Sequence, residues 1–163
     1  MKTIQITFAI FCAFLTMAVC HAVADPPQPA SDLYKALNDA ATGHKLAFIL
    51  LGRSTCGNCN ATRSMIRCGK IPVTDDAYVM ADLNIDDVRT EAAFMHRFGR
   101  VRFGDTLPFV VVTDAHGKVL ASSGGYKNAQ QWTDLLTQAK TKADASANPG
   151  ATDSDWPFPS PTP

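Results

Sequence analysis

An unbroken apolar run, Leu46-Ala47-Phe48-Ile49-Leu50-Leu51, gives way within five residues to Cys56-Gly57-Asn58-Cys59. A short run without polar interruption reads as a strand buried on both faces, which requires helices above and below its sheet. The residues from about Cys56 to Cys68 read as a helix, ended by Gly69 and by Pro72 a little further on. The cysteine pair therefore falls where a strand hands over to a helix N-terminus. Unpaired backbone N–H groups and the positive end of the macrodipole gather there, and both favour a thiolate at Cys56. Cys59, one turn further in, is close enough to attack a mixed disulfide formed on Cys56. The neutral Gly57-Asn58 spacer brings no charge, so it does not rank the pair as oxidant or reductant.

Two other uses of the pair stay open on the residues alone. A structural disulfide would close a small ring, an inefficient staple for a domain of this size. A zinc site needs further ligands; the candidates Cys68, His44, His96 and His116 have no ligand spacing to one another. Cys68 lies nine residues beyond Cys59, or about 13–14 Å along a continuing helix. That exceeds the ~7 Å between Cα atoms that a disulfide tolerates.

The two ends of the chain read differently from its middle. Lys2 precedes an almost continuously apolar stretch from Ile4 to Val19, and Ala22-Val23-Ala24 offers the small-x-small pattern of a signal peptidase site. We therefore expect residues 1–24 to be a signal peptide cut before Asp25. A membrane anchor is the alternative, but the run is shorter than the ~20 residues a spanning helix needs. Lipid attachment at Cys20 is a second alternative, set against it by bulky Val19. Removal of the leader takes Cys12 and Cys20 with it and leaves Cys56, Cys59 and Cys68 of the five cysteines. An exported chain meets oxidising conditions, and an odd count leaves one thiol free or paired elsewhere. The whole chain carries 15 Lys and Arg against 15 Asp and Glu, and loss of Lys2 leaves a slight acidic excess. Such a balance gives no electrostatic reason to expect nucleic acid or an anionic membrane as partner.

Between the ends, residues 25–30 with their prolines read as an irregular lead-in. A helix is expected from Ser31 as N-cap to Gly43, with Leu33, Leu37, Ala40 and Ala41 on one face. A further strand is expected over Tyr78 to Ile85. A helix follows over about Asp87 to Phe98, with Val88, Ala92 and Met95 at helical spacing, and then a loop over Gly99 to Thr106. Phe109–Val112 and Val119–Ser123 flank Asp114-Ala115-His116-Gly117 as a hairpin. A last helix over about Asn128 to Ala143 turns Trp132, Leu135, Leu136 and Ala139 toward a core. Residues 144–163, with five prolines and little apolar periodicity, read as a disordered tail. Its Trp156-Pro157-Phe158-Pro159 run also suits a polyproline-type docking segment. Strands alternating with helices, then a hairpin and a helix, predict an α/β fold. Its sheet is mixed, parallel in the N-terminal half with an antiparallel C-terminal hairpin, and has helices on both faces.

Over about Ser31 to Ala143 the chain resembles the thioredoxin superfamily. The likeness rests on four features: Phe48-Ile49-Leu50-Leu51 leading into Cys56-Gly57-Asn58-Cys59; Ala81-Asp82-Leu83-Asn84-Ile85-Asp86; Leu107-Pro108-Phe109; and the Gly124-Gly125-Tyr126 break before the last helix. With the signal peptide, it looks like the periplasmic thiol-disulfide interchange proteins. The resemblance implies a thioredoxin fold in which Cys56 is the attacking thiolate and Cys59 the buried resolving thiol. Pro108 would follow a cis peptide bond and face the pair, and the backbone of Leu107 would receive an extended substrate strand. An ordinary trans proline at a strand start is the other reading.

Departures from the family pattern are as informative. Thr55 and Gly52 stand where the family places aromatic residues, so the rim is expected to be open. Leu50 and Asp82 occupy the positions of the family's buried acid and its lysine partner, which suggests Asp82 as general base for Cys59. The other reading of Asp82 is a solvated carboxylate at a strand edge. The stretch Phe98 to Pro108 is longer than the family's and adds Arg100 and Arg102, a place for partner selection or a tolerated insertion.

The expected function is an exported thiol-disulfide oxidoreductase acting on protein cysteines, periplasmic or secreted and monomeric. It would exchange electrons with a membrane or soluble redox partner. Its redox group would be the Cys56–Cys59 disulfide, with no metal, flavin or nucleotide. The rivals are a binding module that keeps the pair without turnover, and a redox sensor signalling through Cys68.

Overall fold

The computed structural model describes residues 27–147. The expected signal peptide, the first residues of the lead-in and the tail beyond Ala147 lie outside the described residues. Element order is α1 (Leu33–Gly43), β1 (Leu46–Gly52), α2 (Gly57–Arg67), β2 (Tyr78–Asn84), α3 (Val88–Phe98), β3 (Phe109–Thr113), β4 (Val119–Gly124) and α4 (Ala129–Ala147). The strands form one sheet in the order β2-β1-β3-β4. β1 pairs with β2 in parallel and with β3 antiparallel, and β3 pairs with β4 antiparallel. This is the mixed sheet expected from the order of elements.

Alternation along β1 sends its side chains into two separate cores. Phe48 and Leu50 join Val110, Val112, Ile66 of α2 and Trp132 of α4 on one face. Ala47, Ile49 and Leu51 join Leu33 of α1 and Phe94 and Phe98 of α3 on the other. A strand with helices on both faces needs apolar residues at every position, and Ala47 through Gly52 are all buried.

Several expectations are corrected in detail. Asp32, rather than Ser31, caps α1, its carboxylate accepting the Lys35 N–H at 2.7 Å. Gly43 is still helical, and His44 in the left-handed region (φ 52°) ends the helix. Ala36 is buried in place of Ala41, which is exposed. On α3 the expected face is the wrong one. Val88 is 77% and Met95 41% exposed, Ala92 is exposed too, and Phe94 and Phe98 fill the core. α4 starts from a reciprocal cap, with Asn128 Oδ1 accepting the Gln131 N–H and Gln131 Oε1 accepting the Asn128 N–H. It runs four residues past the expected end at Ala143, to Ala147.

Two further joints bear on the site. Ala30 extends the sheet beyond β2 as an isolated parallel bridge to Ala81. Its N–H donates to Met80 O at 2.9 Å, and its carbonyl accepts the Asp82 N–H at 3.0 Å. The 99–107 stretch is pinned by Phe103, stacked on Phe109 (5.1 Å between centroids) and set against Phe94 (5.6 Å). The Phe103 carbonyl lies where a side chain on Gly124 would stand, so this close approach requires glycine.

Candidate functional site: a cysteine pair at the start of α2

β1 ends at Gly52, and Arg53-Ser54-Thr55 cross the top of the sheet, exposed, to reach Cys56. Cys56 is the N-cap of α2, in extended backbone geometry, and its Sγ accepts the Cys59 N–H at 3.2 Å. Cysteine here takes the place of the usual Ser, Thr, Asp or Asn cap. Cys56 and Cys59 form a disulfide with Cα atoms 5.3 Å apart, well inside the ~4.4–6.8 Å range of such bonds. The two sulfurs differ in access. Cys56 is partly exposed, whereas Cys59 is fully buried. That asymmetry suits one sulfur to meet a partner and the other to act from within. The same Cys59 N–H would suit a charge-assisted hydrogen bond to a Cys56 thiolate.

Gly52 closes the site from below. A Cβ on Gly52 would stand 2.8 Å from Cys59 Sγ and 3.2 Å from Cys59 Cβ, so the buried sulfur occupies the space a side chain would fill. The glycine at this position thus makes room for the buried sulfur of Cys59.

Leu107–Pro108 is a cis peptide bond. Phe109 pairs with Leu51 in the sheet, so Pro108 sits at the same end as Gly52 and the loop to Cys56. Pro108 is buried, Leu107 partly exposed, and the Pro108 carbonyl accepts the Gly125 N–H at 3.0 Å. Arg100 and Arg102 are both exposed on the 99–107 stretch.

Asp82, the expected general base, stands in an ion pair with Arg63. Its Oδ2 accepts from Arg63 Nε and its Oδ1 from Arg63 Nη2, each at 2.7 Å, and both side chains are about four-fifths buried. A carboxylate with both oxygens on a guanidinium is held as an ion-pair partner. The solvated-edge reading fails for this reason. Arg63 also donates through Nη1 to the Arg53 carbonyl (3.2 Å) and to Asn60 Oδ1 (3.1 Å), while Asn60 Nδ2 donates to the Ser54 carbonyl at 2.7 Å. Sequence reasoning missed Arg63 and Asn60. The available signal was spacing, since Arg63 follows Cys59 by four residues on one helix face. Arg53 pairs with Asp86 at 3.4 Å on the other side of the loop.

Cys68 is the C-cap of α2, exposed and unpaired, at the opposite end of the helix from Cys56. Among the described residues no three His, Cys, Asp or Glu side chains converge on a metal position.

A four-stranded mixed sheet between helix layers, with a CxxC at the start of α2 and a cis-proline opening β3, defines a thioredoxin fold. Solved structures agree. The chain is similar to a thioredoxin mutant from Halobacterium salinarum, with TM-score 0.53, 17% identity, 73% of this chain and 95% of that one covered. It is similar to a candidate disulphide-isomerase from Bacteroides thetaiotaomicron, with TM-score 0.56, 15% identity and coverages of 72% and 95%. Thioredoxin f from spinach chloroplast gives 0.53, 15%, 74% and 98%. No protein-family model and no curated protein matches the chain.

Proposed function

We propose that this protein is an exported thiol-disulfide oxidoreductase acting on cysteines of other proteins. The observation that carries the reading is the asymmetric pair, a partly exposed Cys56 joined to a buried Cys59 at a helix start. In the reducing direction the Cys56 thiolate attacks one sulfur of a client disulfide. A mixed disulfide forms and the client's other sulfur leaves as a thiolate, which takes a proton. The Cys59 thiol then loses its proton and its sulfur attacks Cys56, releasing the second client thiol and closing the Cys56–Cys59 disulfide. Two electrons pass to the client, and a membrane or soluble redox partner restores the dithiol. The reverse sequence oxidises a client dithiol. Pro108 and the backbone of Leu107 border the groove in which an extended client strand docks.

Reduction of insulin by dithiothreitol tests the activity. The protein should accelerate insulin precipitation, and Cys56→Ser should abolish the acceleration. Intact thiols with no acceleration over dithiothreitol alone would make the chain a thioredoxin-fold binding module. The couple's potential assigns direction, a value near ~−270 mV marking a reductase and one near ~−120 mV an oxidase. Export to the periplasm or medium is tested by the mass of the secreted product, expected to begin at Asp25.

A further inference from the structure

Every nitrogen of the Arg63 guanidinium is engaged, and its partners lie on three different segments. These are Asp82 on β2, the Arg53 carbonyl on the loop before Cys56, and Asn60 on the first turn of α2. Arg63 and Cys59 are neighbours on the helix surface at i, i+4 spacing. Arg63 thus lies one helical turn from the buried cysteine, and its hydrogen bonds tie Asp82 to the loop that carries the exposed one. We propose that the charge balance within the Arg63–Asp82 pair tunes the redox equilibrium of Cys56–Cys59, each partner offsetting the other's pull on the sulfurs. In this role Arg63 and Asp82 are positioning residues, and the inference rests on the thiol-disulfide reading above.

The two partners act with opposite sign. Reduction takes two electrons into the Cys56–Cys59 bond and leaves two sulfurs that share up to two protons from solvent, so negative charge develops at the helix start. An intact pair presents a cation and an anion whose effects oppose each other. Neutralising Asp82 leaves the guanidinium uncompensated and stabilises the thiolate, and with it the reduced protein. Neutralising Arg63 leaves the carboxylate uncompensated and favours the oxidised protein. A brace with a purely structural role loses stability in both variants and has no reason to move the equilibrium in opposite directions.

The test equilibrates purified protein with reduced and oxidised dithiothreitol, which supplies the electrons and closes to its own cyclic disulfide. Asp82→Asn is expected to raise the reduced-to-oxidised ratio about threefold and Arg63→Met to lower it about threefold, in line with a charge acting across one helical turn. Each corresponds to about 14 mV for a two-electron couple. The double variant should return to the wild-type ratio. If Arg63→Met does not fold, Arg63→Gln carries the same expectation, and Arg63→Lys, which keeps the charge, should stay near wild type. Shifts of the same sign in the two single variants, or none in either, overturn the proposal. The equilibrium needs no client, so a wild-type protein inert toward insulin would remove the enzymatic reading while leaving this measurement decisive.

Discussion

At the scale of single residues, the reactive pair was legible because its information is local: strand, spacing and helix start lie within fourteen residues, Leu46 to Cys59. The ion pair beside it was not, because Arg63 and Asp82 are nineteen residues apart and meet only when α2 lies across β2. Asp82 is visible in the sequence as an unusual acid, whereas its cation lies on a separate element. Gly52 is a similar case, a departure visible in the sequence whose cause is a sulfur atom from another element. Gly52→Ala should therefore cost about 1–3 kcal/mol, as overpacking does, with the larger loss in the oxidised protein, whose Cys59 sulfur has less freedom to move. Urea unfolding of oxidised and reduced forms measures both. Tyr78 gives a second residue-level expectation. It is buried with its hydroxyl unpartnered, and burial pushes its pKa up from 10.0 to about 12. The unfolded chain loses this proton first as pH rises, so stability falls between about pH 10 and 12. Tyr78→Phe should lack that alkaline loss and be neutral or up to about 1 kcal/mol more stable at neutral pH, as thermal melts across the pH series would show.

At the scale of elements, all eight were anticipated, and their ends and faces carried the errors. α3 shows why. Val88, Ala92 and Met95 form a regular apolar stripe, but Phe94 and Phe98 are larger and also four residues apart, and the core takes the greater apolar area. Phe94→Ala should cost about 3–5 kcal/mol, against less than about 0.5 kcal/mol for Val88→Ala, both read from urea midpoints. The 99–106 stretch was expected as a loop, and nothing in its own residues revealed that Phe103 would fasten it. That contact depends on Phe94 and Phe109, which bracket the loop from two different elements. Gly124→Ala should push the Phe103 carbonyl aside and loosen the stretch. Trypsin should then cut after Arg100 or Arg102 several-fold faster than in the wild type.

At the scale of the whole molecule, the overall architecture followed from element order, because a chain that alternates strand and helix has few ways to cover both faces of one sheet. The same layout separates two kinds of sulfur, with Cys56 and Cys68 capping opposite ends of α2. Iodoacetamide should modify Cys68 in the oxidised protein and reach Cys56 only after reduction, and Cys68→Ser should leave insulin turnover unchanged. A Cys68-linked dimer on oxidation, lost in Cys68→Ser, would instead mark a sensor. The bridge from Ala30 to Ala81 has a mechanical consequence. Its second hydrogen bond starts at the backbone of Asp82, so tension applied through the residues preceding Ala30 arrives at the carboxylate that grips Arg63, and through it at the loop bearing Cys56. A pull on the other end enters through α4, which packs against β3 and β4. A tether on the leading side would thus tug on the sulfur chemistry, and one on the trailing side would load the far edge of the sheet.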